Sequence, residues 1–181
     1  TMAQQAASAA GATAADKLAY AWVLAEKVNF NSGDHKDVDA FLDALAAFPA
    51  GSTEYAEALM DFVEHDHDVS RRYQYLQKLL QAQPRGVWAA EARLDRGMLE
   101  LSRGAYQPAR DDFWSALGGA GTDDGGAVAS AAEIQKAPMA ALGMFEVYAA
   151  VGLRPQALAW ARGVQQAGVN LPAVTEAVGI T

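Results

Sequence analysis

The sequence predicts an all-α chain built from successive pairs of helices, and three observations carry that reading. Alanine is the commonest of the 181 residues and β-branched residues are sparse outside short patches, which favours packed helices over sheet. Apolar residues recur at helical spacing along most of the chain, broken by short polar turns. Pro49 and Pro84, 35 residues apart, close two successive pairs of such segments.

The elements follow in order. Residues 1–13 are Ala/Gln/Ser-rich and read as a linker or a frayed helix start. Thr13 is placed to cap a helix from Ala14 to Phe30, with Asp16 at the positive end of its dipole. Asn31 to Asp34 break it, and Val38, Phe41, Leu42, Leu45 and Phe48 mark the next helix. Ser52 or Thr53 then caps a helix carrying Tyr55, Leu59, Phe62 and Val63, and a partner follows with Val69, Tyr73, Leu76 and Leu80 on one face. In the third pair small residues sit at fixed offsets: Gly97, Gly104, Ala109 and Ala116, with Tyr106 and Phe113 between them. Gly97 and Ala109 allow two helices to approach closely, Gly104 turns the chain, and the two aromatics fill the remaining space. A fourth pair realigns on Gly152 and Ala157, with the five-residue gap of Gly104 and Ala109; Pro108 and Pro155 stand in the first turn of their helices, where a missing N–H costs little. Between these pairs, residues 118–137 are an insertion: a Gly-rich loop to Gly126, then a helical turn or two before Pro138. Residues 14–168 thus read as one repeat domain, and 169–181 as a capping segment.

Ala90 to Leu117 resembles one tetratricopeptide repeat, a unit of two antiparallel helices about 34 residues long. Equivalent starts at Leu18, Thr53, Ala90 and Pro138 extend the resemblance over residues 18–165. Units one and two depart from the family where it prefers a small residue in the second helix, having Asp37 (or a neighbour) and Arg72 there. The resemblance implies eight main helices in a right-handed solenoid of about four units. It also implies a binding scaffold rather than a catalyst, since such units bury their apolar faces only against one another.

Composition narrows the chemistry. A formal net charge of −8 disfavours nucleic acid and anionic membrane surfaces as partners. With no cysteine there are no disulfides, no thiolate nucleophile and no thiolate-bound zinc. No apolar run approaches the length of a membrane span, so membrane insertion is not expected. The opening residues lack the basic flank and apolar stretch of a leader; a cytoplasmic location is the simpler reading, and a periplasmic one stays open if a leader was removed. Asp61 and His65 share a helix face at a spacing that can hold two metal ligands, but His65 and His67 point to different sides. Glu64 to Asp68 is therefore read as a solvated turn, with Asp68 capping the helix from Val69. Thr122 to Gly126 lacks the spaced carboxylates of a calcium loop and the lysine of a phosphate loop, and reads as surface. Asp111 and Asp112, adjacent in a helix, read as an exposed face rather than an acid–base pair. Ser70 and Ser102 have no nearby base, so no catalytic residue, cofactor or metal is expected and the chain is not read as an enzyme. Trp114 and Trp160 are expected in the core, and Trp22 on the inner face of the groove that the family uses.

The resemblance implies that a peptide binds along the first helix of each pair. Carried over by position, the groove takes Trp22, Val23, Glu26, Asn29 and Phe30 from unit one, and Glu54, Glu57, Asp61, Glu64 and His65 from unit two. Unit three supplies Glu91, Leu94, Asp95, Met98 and Leu101, and unit four Met139, Leu142, Gly143 and Glu146. These positions are acidic with an apolar strip and hold no Lys or Arg. Family members that bind the carboxylate tails of heat-shock chaperones use basic groove residues and asparagines, of which Asn29 alone remains. The expected partner is instead a basic or amphipathic peptide or protein segment. Two alternatives stand beside this interaction module. One is a structural scaffold subunit that self-assembles through the Ala-rich ends, Ala3 to Ala15 and Ala173 to Val178; the other is an accessory domain of a longer enzyme.

Overall fold

Polar caps and glycine turns cut the chain into helices, and no strand forms among the described residues, 2–27, 36–119 and 127–179 of the computed structural model. They fall into two compact units, Thr1–Trp88 and Ala89–Thr181.

The first unit contains α1 (Met2–Ser8), α2 (Ala14–Lys27), α3 (Lys36–Leu45), α4 (Thr53–His65) and α5 (Val69–Ala82). α1 occupies the segment read as a linker or helix start; it packs on α2 but buries none of its residues. The cap of α2 is reciprocal: Asp16 N–H donates to Thr13 Oγ1 at 3.2 Å, and Thr13 N–H donates to the Asp16 carboxylate at 2.9 Å. Hydrogen bonds from the Thr13 hydroxyl and backbone hold that carboxyl below its ordinary pKa. The break at Asn31 to Asp34 lies outside the described residues. Ser52 caps α4 as expected, and α4 packs on α2 and α5. The core is aromatic at its centre: Phe41 stacks on Phe62 with centroids 4.4 Å apart, and Phe62 meets Tyr75 edge-on at 5.2 Å. That contact sets the rotation of α5. Its buried residues are Tyr75, Leu76 and Leu79, whereas Val69, expected on the buried face, is exposed. Gln83 Nε2 donates to the carbonyls of Ala50 and Ser52, which ties the end of α5 to the turn before α4.

The polar turn after α4 is only partly the solvated turn expected. Asp68 caps α5, accepting from Ser70 and Arg71 N–H. Asp66, in contrast, has a fully buried side chain gripped by Arg71 through Nε at 2.5 Å and Nη2 at 2.7 Å. A carboxylate that loses water needs a bidentate partner, and the first turn of α5 supplies it.

The second unit takes most of α6 (Val87–Ser102), then α7 (Tyr106–Ala116), α8 (Ala131–Lys136), α9 (Pro138–Ala150), α10 (Arg154–Gln166) and α11 (Pro172–Gly179). α8 is the extra turn expected before Pro138, and Ser130 with Glu133 forms its capping box. Thr122 to Gly126, with Asp123 and Asp124, lies outside the described residues. The pairs α6–α7 and α9–α10 repeat one turn conformation. Gly104 and Gly152 have φ of 74° and 78°, and Ala105 and Leu153 share φ −82°, ψ 66°. In each turn the N–H after the glycine bonds a carbonyl five residues back at 2.9 Å, from Ala105 to Glu100 and from Leu153 to Tyr148.

Phe113 fills the contact that the small residues predicted, in a different way. A Cβ added at Gly97 would stand 2.7 Å from Phe113 Cε1, and one at Gly143 would stand 2.5 Å from Phe113 Cε2. The fully buried Phe113 ring, not the Ala109 methyl, therefore lies nearest Gly97, with Gly143 backing its other side. Gly143, expected in a groove, is used inside the core. Tyr106, expected to fill space between helices, is 36% exposed. Trp160 is buried as expected and meets the half-buried Trp114 edge-on at 6.3 Å.

Asp112 corrects the reading of an exposed acidic face. It is 5% exposed and accepts two hydrogen bonds from Arg96, Nε to Oδ2 and Nη2 to Oδ1, both 2.6 Å. Arg96 and Gly97 are neighbours on α6, as Asp112 and Phe113 are on α7, so one close contact carries both a ring packing and an ion pair.

Two outcomes follow from this contact. Gly97→Ala gains about 1 kcal/mol of helix propensity but forces the ring against Gly143, at a cost of about 1–3 kcal/mol. A lower urea midpoint is expected; an equal or higher one would show that the ring can retreat. Asp112→Ala leaves Arg96 facing Glu100 at 4.0 Å and should cost about 2–4 kcal/mol, discounted for the partial exposure of Arg96. Replacing the pair together, Arg96→Met with Asp112→Leu, also removes the cation beside the buried Glu100 carboxylate, so recovery of most of that loss in the same melt is expected only when Glu100→Gln is added.

Candidate functional site

On α4, Glu57, Met60, Asp61 and Glu64 lie three and four residues apart, so one side of the helix presents all four. The opposite side carries Leu59, Phe62 and Val63 into the core, which fixes the acidic side outward. α2 packs against α4 and brings Trp22 to that side. Trp88, the last residue of the first unit, completes a cleft of about 210 Å³ lined by Trp22, Glu57, Met60, Asp61, Glu64 and Trp88.

Among the described residues the cleft holds three carboxylates and no basic side chain. Met60 is buried, Glu57, Asp61 and Trp88 are half-buried, and Glu64 is exposed. Trp22 is 38% exposed, so part of its indole stays at the surface. Beside the cleft, His65 Nδ1 lies 2.8 Å from the Asp61 carbonyl and 3.9 Å from its carboxylate. Among the described residues no three His, Asp or Glu side chains converge as metal ligands. What the lining offers is hydrogen-bond acceptors, negative potential and two indoles. Such a site suits a cationic head on an apolar stem, since indole faces attract cations and carboxylates accept their hydrogen bonds.

The expected groove residues are divided by the structure. Trp22, Glu57, Asp61 and Glu64 come together in this cleft. Glu26 lies in α2, but its side chain, like Asn29 and Phe30, is outside the described residues. In the second unit Glu91, Met98 and Met139 are exposed, while Asp95 and Glu146 are half-buried. Burial raises the Glu146 carboxyl above its ordinary pKa. Leu94, Leu101 and Leu142 lie half-buried against the core of that unit.

Sequence reasoning missed Met60 and Trp88. Met60 was legible, since it continues the spacing of Glu57 and Glu64. Trp88 carried no such signal, because it precedes Ala90, the start of the expected unit. Set beside family models, curated proteins and solved structures, the chain matches none of them.

Proposed function

We propose that this chain is a non-enzymatic protein-interaction module that holds a basic or amphipathic segment of a partner in the acidic, tryptophan-walled cleft of its first unit. One observation carries the reading: side chains from α2 and α4, with Trp88, converge on a single cleft whose described lining has three carboxylates, two indoles and no cation. The carboxylates would steer a basic segment during approach, and Trp22, Trp88 and Met60 would hold its apolar part once docked. The same proposal takes the helices as tandem pairs of the tetratricopeptide kind, two in each unit. Supporting this are the packing of α2 on both α3 and α4 and the matched turns at Gly104 and Gly152. No described helix is long and apolar enough to cross a membrane.

The test uses an amphipathic lysine–leucine peptide and its glutamate–leucine counterpart, followed by tryptophan fluorescence in stopped flow. Only the lysine peptide is expected to bind. Asp61→Lys with Glu64→Lys should slow association about tenfold at low salt, and the difference should fade as the Debye length shrinks from about 10 Å to about 3 Å at 1 M. Trp22→Ala should leave association nearly unchanged and speed dissociation. Salt-independent binding that ignores the charge reversals would remove the cleft as the site.

A further inference from the structure

The second unit contains a cavity of opposite character. It measures about 240 Å³ and lies between the start of α7 and the end of α9. Val147 and Tyr148, both buried, form its floor, and Val151 and Leu153, 44% and 43% exposed, form its rim. α7 contributes Tyr106, Gln107 and Arg110. Both turns of the internal repeat feed it, since Leu153 follows Gly152 and Tyr106 follows Gly104 by two residues.

Its electrostatics are as distinctive as its walls. In a chain with 22 acidic and 14 basic residues, this lining has, among the described residues, no carboxylate and one cation, Arg110. Arg110 Nε is buried and has no hydrogen-bond partner. A guanidinium keeps its charge at any ordinary pH, so a buried, unanswered N–H is costly and favours an acceptor brought from outside. The nearby Asp111 carboxylate is engaged by Gln107 Nε2 at 3.0 Å. Apart from the Gln107 amide, the remaining surface is aliphatic and phenolic, suited to a ring or a short branched chain. At about 240 Å³ the cavity is on the scale of a small organic acid rather than a folded segment. One cation among neutral walls balances a single negative charge; a dianion would stay half-neutralised against apolar surface. The planar fork of Arg110 matches a carboxylate.

We infer that this cavity is a binding site for a small apolar monocarboxylate, an aryl or branched alkyl acid whose carboxylate pairs with Arg110 and whose body rests on Val147, Tyr148, Val151 and Leu153. The site is separate from the acidic cleft and independent of the function proposed for it.

The probe is 3-phenylpropionate, titrated into the full chain and read by the methyl resonances of Val147, Val151 and Leu153. The neutral 3-phenylpropionamide serves as its isostere. The acid should shift these methyls at concentrations of about 1–10 mM, and the amide should bind about tenfold or more weakly. Arg110→Gln should lower affinity for the acid by a similar factor and leave the amide unchanged. Leu153→Asp, on the exposed rim, should weaken the acid selectively by like-charge repulsion in a chain whose helical spectrum is preserved. Equal binding of acid and amide, no methyl shifts with the acid, or indifference to Arg110→Gln would each overturn the assignment. Tighter binding of N-acetyl-glycyl-phenylalanine than of the free acid would overturn a free acid as the occupant and point to a chain terminus.

Discussion

In the second unit the Phe113 ring lies between two backbones, Gly97 on α6 and Gly143 on α9, at distances that leave no room for a Cβ on either side. A ring held this way fixes three helices at once, because α7 can neither rotate nor slide without driving Phe113 into main chain. The positions of its neighbours follow. Asp112, one residue earlier, is carried to Arg96 beside Gly97, and the resulting bidentate pair resists the same motions. Arg110, one turn earlier, is carried over the end of α9, where Val147 and Tyr148 form the floor of the second cavity. Two glycines without side chains thus govern where three functional groups of α7 come to rest.

The first unit achieves its order through α4. One side of that helix enters the aromatic stack with Phe41 and Tyr75, and the other side must therefore face α2 and solvent with its carboxylates. Burial of Asp66 against Arg71 anchors the end of α4 to the start of α5. As a result, negative charge in this unit is sorted: Asp66 is consumed by structure, whereas Glu57, Asp61 and Glu64 line a cleft. The same sorting appears in the second unit, where Asp112 is internal and the described lining of the cavity between α7 and α9 carries Arg110 and no carboxylate. Net charge alone describes neither surface, because each local potential depends on which charges the fold neutralises.

Local structure was legible because its causes are local. Thr13, Ser52 and Asp68 cap helices through bonds that span two or three residues, and Gly104 turns the chain because its φ suits no side chain. The spacing of Gly97, Ala109 and Phe113 announced a close approach between helices, and the fold contains one. Glu57, Asp61 and Glu64 were expected together with Trp22, and α4 and α2 bring the four to one cleft.

What the sequence by itself determined was therefore the helical class, most of the helices, and their local caps and turns. Tertiary structure decided which groups meet. Arg96 and Asp112 are sixteen residues apart, and nothing in either segment marks them as partners. Phe113 rather than Ala109 sits against Gly97 because Gly143, from a helix beyond the insertion, closes the other side. Val69 is exposed and Tyr75 buried because Phe62 offers a ring edge contact only at one rotation of α5. Trp88 joins Trp22, and Arg110 faces Tyr148, through packing between segments distant in sequence. Periodicity constrains the angle of a residue around its own helix; the depth and partner of that residue depend on the neighbouring helices.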